Sequence, residues 1–357
     1  MPTGRSWSAS AMADKRGPAP FDLGYRMPAE WEPHEATRLA WPNVSAWSAK
    51  KLQSIRLIFL RIIEILLEGE KVHLLIANQK EKNKILAALK HACHLDCLVF
   101  HLSPAEDIWI RDYGPVFIKN KAGKKAWCKW RFNAWGGKYK ALMKDDKIFN
   151  RRLIPNPCFR PPMVLEGGSI DVNGRGIGLT SEECLLNPNR NPHLSRFEIE
   201  SYLKKFLGIE KVIWLARGIA GDDTDGHVDQ LARFVNTRTI LASYEENPAD
   251  ENYKNLKDNW ERLKRFKEET GKPLNLVRLP MPDKVLSGKK RLPASYANFY
   301  IANKAVFLPV FGGPKDKRAI DILKEHFPID WKIVPIPSGD LIYGFGGIHC
   351  MTHEEPK

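Results

Sequence analysis

Three stretches of this chain are built alike, and that repetition restricts the fold more than any other feature. LVFHLSPAEDIWIRDYGPVFI (residues 98–118), VIWLARGIAGDDTDGHVDQLARFV (212–235) and KIVPIPSGDLIYGFGGIHCMT (332–352) each pass from an apolar strand through an Asp-containing polar loop to a return strand. Their loops deliver Asp112, then His227 with Asp229, then Cys350, and LEGGSIDVNGRGIGLT places Glu166 at a similar junction of strand and loop. A module repeated in this way can gather one reactive loop per copy at a shared centre.

Around the modules, helix and strand patterns alternate. WSAKKLQSIRLIFLRIIEILLEG (47–69) and EKNKILAALKHA (81–92) have apolar residues at helical spacing, whereas KVHLLIAN (71–78) and CLVFHLS (97–103) are strand-like. The class is α/β. No linker composition interrupts residues 24–357, so a single domain of about five modules is expected there. The small, polar, proline-containing residues 1–23 are expected to form a disordered N-terminal extension.

Composition excludes several classes. The most apolar segment, IRLIFLRIIEILLEG, carries Arg56, Arg61, Glu64 and Glu68, and no run approaches the ~18 apolar residues of a membrane span. The net charge of +14 comes from Lys and Arg scattered over helices, with no aromatic–basic motif, which indicates a solvated basic surface and no nucleic-acid partner. Six cysteines in 357 residues do not make a disulfide scaffold, and without a signal peptide the expected location is cytoplasmic.

Cys350 follows three glycines, Gly344, Gly346 and Gly347, in a turn that gives a thiol room for substrate. A thiolate nucleophile, a proton-carrying His227 and a carboxylate beside it would by themselves suit a cysteine protease. The surplus of acids points further. Several carboxylates converging on one small pocket repel each other unless a cation lies between them. A guanidinium is planar, permanently charged and matched to carboxylates in bidentate pairs. Held by Asp112 and Asp229, it would present its central carbon to Cys350.

These residues lie within MPAEWEPHEATRLAWP, WIRDYGPVFI, FNAWGGKY, LEGGSI, EECLLNPNRNP, AGDDTDGHVDQLARFV, LPASYANFYIAN and LIYGFGGIHCMTHEEP. With these eight motifs in order, the chain from about Tyr25 to Pro356 resembles the agmatine deiminases of the Porphyromonas-type peptidylarginine deiminase superfamily of guanidino-group-modifying enzymes. The resemblance implies a five-bladed α/β propeller (pentein) with the site on its axis. It implies Cys350 as nucleophile, His227 as proton carrier, Glu166 orienting His227, and Asp112 and Asp229 gripping the guanidinium. Trp109 would line the pocket, and Asn298 would position Cys350 or the developing charge. The implied reaction converts agmatine to N-carbamoylputrescine and ammonia through a covalent thiouronium, without metal or cofactor. Peptidyl-arginine deimination uses the same chemistry and is the alternative. A small-molecule substrate is the implied partner, and a homodimer is compatible with the resemblance.

Agmatine's distal amine calls for an acid at the far end of the pocket, and Asp222, Asp223 and Asp225 precede the catalytic His; Asp223 and Asp225 are the candidates. Gln230 and Arg131 depart from the resemblance, and a cation at Arg131 near the pocket would disfavour a dicationic substrate. HACHLDC groups His91, Cys93, His94 and Cys97 at a spacing unlike zinc sites. LEGGSIDVNGRG lacks the GK[ST] ending of a phosphate loop.

Overall fold

The computed structural model describes residues 18–42, 48–268 and 271–357. The expected extension therefore lies outside the described residues as far as residue 17. Its last part is ordered: Phe21–Leu23 makes a 3-10 turn, closed by Gly24 at φ 75°, whose N–H donates to the Phe21 carbonyl.

Among the described residues the strands form five sheets of three or four strands and one two-stranded ribbon. The first sheet joins both ends of the domain, with His353–Pro356 antiparallel to His34–Ala40, then Lys71–Ile76 and Leu98–Leu102 in parallel. The second orders Tyr25–Arg26, Val116–Asn120, Lys125–Cys128 and Cys158–Phe159. The third is Asp171–Val172, Ile177–Ser181 and Lys211–Leu215; the fourth, Ala232–Phe234, Thr239–Tyr244 and Asn275–Pro280; the fifth, Tyr300–Ala302, Ala305–Val310 and Lys332–Pro337. Every one of the five contains an antiparallel pair extended by a parallel neighbour.

A parallel neighbour requires a crossover, and helices supply it in four sheets: Ala49–Leu66, Arg196–Leu207, Tyr253–Arg265 and Lys315–His326. Ala49–Leu66 buries Ile55, Phe59, Ile62, Ile63 and Leu66 on one face, each worth roughly 1.5–3 kcal/mol of apolar burial. Arg196–Leu207 is delimited by a Ser195–Glu198 capping box and by Gly208 in the left-handed region. No helix among the described residues is long and apolar enough to cross a membrane.

The repeat seen in the sequence has a different structural meaning from a hairpin. Leu98–Leu102 belongs to the first sheet and Val116–Asn120 to the second; Lys211–Leu215 and Ala232–Phe234 lie in the third and fourth; Lys332–Pro337 and His353–Pro356 lie in the fifth and first. The return strand does not pair with the strand before it. Each reactive loop is a bridge between consecutive sheets, which is why the loops can meet although the strands diverge.

Candidate active site

Five bridges between sheets carry the candidate residues: 103–115 with Trp109 and Asp112, 160–170 with Glu166, 216–231 with His227 and Asp229, 281–299 with Asn298, and 338–352 with Cys350. Their side chains are all buried. Cys350 Sγ lies 3.3 Å from Asn298 Nδ2 and 3.7 Å from Asp229 Oδ2. His227 Nδ1 is 3.6 Å from Asp112 Oδ1. Arg111 locks two of the bridges together. Its backbone N–H donates to the Cys350 carbonyl at 3.1 Å, and Nη1 reaches Glu354 at 2.6 Å.

Asp112 is held at both oxygens. Oδ1 accepts from the Gly168 N–H at 3.0 Å and Oδ2 from the Trp135 indole N–H at 2.9 Å. Trp135 belongs to a run of four residues, Ala134 to Gly137, all at positive φ, two of them non-glycine. Such backbone is costly and persists only where surroundings enforce it. Here it aims the indole at a buried carboxylate.

Gly168 is a close-approach position. A Cβ there would sit 2.7 Å from His227 Nδ1 and 2.9 Å from both Asp112 Oδ1 and Asp229 Oδ2. Gly168→Ala is therefore expected to spread these groups and to lower turnover by about 10²-fold, since displacements of ~1 Å cost that much; steady-state kinetics beside a thermal melt checks it. The glycines before Cys350 serve packing as well as access. A Cβ on Gly346 would meet the Trp109 ring at 2.5 Å, and one on Gly347 would run into the Asn298 side-chain oxygen.

Burial dominates the electrostatics. It raises the carboxyls of Asp112, to about 7, and of Glu166 and Asp229 above their usual range; Asp112 adds to the effect on Asp229. It pushes the Cys350 thiol well up, aided by Asp229 and Asp112. It holds the His227 imidazole neutral, with Arg190 adding to the effect. Four buried atoms around this centre have no hydrogen-bond partner within the protein: Glu166 Oε2, both ring nitrogens of His227 and Asp229 Oδ1. Buried polar atoms are rarely left unpaired, which makes this set the candidate for contact with a ligand.

A cavity of about 500 Å³ opens onto the thiol, with Trp109, Asp112, Trp135, Tyr139, Asp223 and Phe345 in its wall. Glu106 and Asp107 also line it, and Lys140 is its one cationic lining residue among those described. Several expectations need correction. Asp225, Asp229, Asn298, His227 and Glu166 do not line the cavity; Asp229 and Asn298 lie behind it against Cys350 Sγ, whereas the Asp225 carboxylate accepts from Arg190 and Asn189 and pairs with Lys138 at 2.7 Å. Asp222 folds back on its own loop, accepting from Thr224 and Gly226. Asp223 is at the wall, hydrogen-bonded by the Tyr139 hydroxyl. Glu166 spends Oε1 on Arg190 Nε at 2.7 Å and makes no hydrogen bond to His227, whose ring nitrogens have no partner in the protein.

Arg131 is exposed, is not part of the cavity wall, and pairs through its backbone with Met163 and Leu165, so its charge does not bear on the pocket. Gln230 is buried, with its backbone carbonyl accepting from the Ser243 and Ser295 hydroxyls.

The residues of HACHLDC do not converge. Among the described residues, the one group of His, Cys, Asp or Glu close enough to share a metal is Glu166, Cys184 and His227. Arg190 already neutralises Glu166 there, and burial holds the Cys184 thiol well up, so this set is poorly suited to a cation.

Side chains whose part was not foreseen are Trp135, Arg190, Glu30 and His349. Trp135 lies within the FNAWGGKY motif and Arg190 within EECLLNPNRNP, but neither motif says which atom it meets. His349 Nδ1 lies 2.7 Å from Asp229 Oδ2, and its Nε2 lies 2.8 Å from Glu30 Oε2.

Residues 26–356 match the family described as Porphyromonas-type peptidyl-arginine deiminase. The chain belongs to that family. Among its relatives, a protein of Legionella pneumophila (strain Paris) named "Putative agmatine deiminase" is 38% identical over 343 residues, covering 95% of this chain and 97% of that protein. The solved structure of an agmatine deiminase of Enterococcus faecalis is similar at a TM-score of 0.88 and 31% identity, covering 96% of this chain and 98% of that one. A substituted form of the C. jejuni agmatine deiminase, solved with substrate bound, is similar at a TM-score of 0.82 and 31% identity, covering 93% of this chain and 96% of that one. Such coverage makes the family's mixed α/β architecture that of the whole domain, and the chain is a hydrolase of carbon–nitrogen bonds in guanidino compounds.

Proposed function

We propose that this protein is an agmatine deiminase, hydrolysing agmatine to N-carbamoylputrescine and ammonia. The observation that carries the proposal is the cluster of buried acids with unpartnered atoms beside Cys350, a set whose charge is balanced by a flat cation. The names of the relatives, and the substrate bound to one of them, support the choice of substrate. So does the cavity wall, where Glu106, Asp107 and Asp223 outnumber Lys140. An amine tail suits that wall, while the carboxylate of an arginine would find a single cation. The five sheets of common plan, joined by bridges that converge, favour a five-bladed propeller with the site on its axis.

Asp112 and Asp229 take the guanidinium N–H groups, and the Trp109 and Trp135 rings wall the plane of the cation. Cys350 attacks the central carbon as its proton passes to neutral His227. The imidazolium gives that proton to the departing nitrogen, and ammonia leaves a thiouronium on sulfur. His227 then takes a proton from water, whose hydroxide adds to the same carbon. Collapse breaks the C–S bond as the urea carbonyl forms, the hydroxyl proton passes to sulfur to restore the thiol, and the imidazolium gives its proton to solvent. Asn298 supports the sulfur through its amide N–H, and Glu166, clamped by Arg190 at Oε1, keeps Oε2 to accept from the His227 imidazolium.

The pH dependence follows from Asp112. Below about 7 its buried carboxyl is protonated in the free protein and cannot grip a cation. The value of kcat/KM for agmatine is thus expected to fall on the acid side, approaching tenfold per pH unit, with ammonia assays from acid to neutral pH as the check. Ammonia release from agmatine, free arginine and a peptide ending in arginine tests the substrate. Agmatine is expected to be turned over best; a clear preference for the peptide would reject the assignment.

A further inference from the structure

The two contacts of His349 fix a proton count that a neutral imidazole cannot meet. It stands between Asp229 Oδ2 at 2.7 Å and Glu30 Oε2 at 2.8 Å, and all three side chains are buried. A neutral imidazole has one N–H and can donate to one of them. Its other nitrogen would then set a lone pair against a carboxylate lone pair at hydrogen-bond distance. The chain Glu30–His349–Asp229 therefore holds one proton more than two carboxylates and a neutral ring.

Its partners say where that proton rests before a ligand arrives. Glu30 pairs with Arg233 at 2.8 Å and Arg111 at 3.4 Å and accepts from the Ile301 N–H at 2.8 Å, so three donors already face its oxygens. Asp229 faces Asp112 and Cys350, and burial followed by Asp112 raises its carboxyl against the opposing influence of Arg233 and Arg111, with Asp222 adding a smaller rise. His349 faces Glu30, Arg111, Arg233, Glu354 and His353, and burial followed by the two arginines opposes its charging. The free protein thus holds a neutral Asp229 donating to Nδ1, with Nε2–H donating to Glu30.

We infer that His349 is a positioning residue that takes the proton of Asp229 when a guanidinium binds, so that the clamp gains its charge without releasing a proton from the site. This inference rests on the guanidinium chemistry proposed above. In the step the O–H bond at Asp229 Oδ2 breaks and an N–H bond forms at His349 Nδ1. The imidazolium then donates to both carboxylates, its charge lying between them. Asp229 Oδ1, without a partner in the protein, is left to accept from the guanidinium. A histidine that served only as a structural bridge would keep one protonation state throughout.

The test uses the full chain carrying Cys350→Ser, with agmatine as ligand, at a pH of about 8.5, where Asp112 is already ionised. Calorimetry in buffers of different ionisation enthalpy counts protons, and the expected release is close to zero. The ¹⁵N signals of the His349 ring are expected to change from one protonated nitrogen to two as agmatine binds. In Cys350→Ser with His349→Gln, binding is expected to release about one proton and to weaken about tenfold per unit of falling pH. Release of one proton with His349 present, or ring signals unchanged by agmatine, would overturn the inference while leaving the clamp intact. If His349→Gln does not fold, the two measurements on the Cys350→Ser protein decide alone. Failure of agmatine to bind at all, with no turnover by the unmodified protein, would remove the functional proposal and this inference with it.

Discussion

Cys350→Ala is expected to abolish ammonia release from agmatine, by at least ~10⁴-fold in kcat, and to bind agmatine with an affinity within a few-fold of that of Cys350→Ser. The separation follows from the division of labour in the site. In the proposed mechanism Sγ is the atom that forms the bond, whereas the cation is held by acids on other bridges. Removing a buried thiol leaves Asp112 anchored by the Trp135 and Gly168 N–H groups, so the clamp keeps its shape. Alanine also removes a small apolar contact, which costs little where the neighbours are an amide and a carboxyl. Single-turnover ammonia assays and calorimetric titration of the variant measure the two effects separately.

The second large effect is expected at Asp229. Asp229→Asn should lower kcat/KM for agmatine by ~10²–10³-fold, with much of the loss in KM, because a charged contact to a planar cation is replaced by an amide. The asparagine amide can donate to His349 Nδ1 as the protonated Asp229 does, but it has no proton to hand over, so the guanidinium meets an uncharged amide oxygen in place of a carboxylate. Fold stability should not fall with activity. A buried acid beside Asp112 and Cys350 opposes folding whenever it is ionised, so a neutral isostere is expected to melt at the same temperature or above it. Kinetics together with thermal melts at neutral pH show whether activity and stability part in this way. A parallel loss of both would mean that Asp229 is chiefly structural.

How much of this was legible in the chain depends on the range of the contacts. The amphipathic helix Ala49–Leu66 and the strands Lys71–Ile76 and Leu98–Leu102 follow from local periodicity, and the structure has them where the patterns lie. Strand partnership does not follow from periodicity. The two strands of each repeated stretch look like hairpins because they are near in sequence, yet they belong to different sheets. Asp112, His227, Asp229 and Cys350 stand out in the chain because each is a reactive type at the same point of a repeat, and the structure brings Cys350 beside Asp229 and His227 beside Asp112. Asp225 misled for the same reason: an acid beside a catalytic loop looks like a ligand until Arg190 is seen to hold it. Glu30 and His349 are 319 positions apart, and no local pattern joins them. Trp135 was hidden differently, since a tryptophan near glycines suggests a packed turn, and only the left-handed backbone discloses that its N–H is aimed at Asp112.

The central claim is that acids from separate bridges hold one guanidinium so that its carbon meets a single sulfur. Mass spectrometry of the unmodified protein, acid-quenched during turnover of agmatine and digested, addresses it most directly. A peptide containing Cys350 that is heavier by agmatine less ammonia is expected. An adduct on another residue, or turnover at full rate with Cys350 never modified, would contradict it.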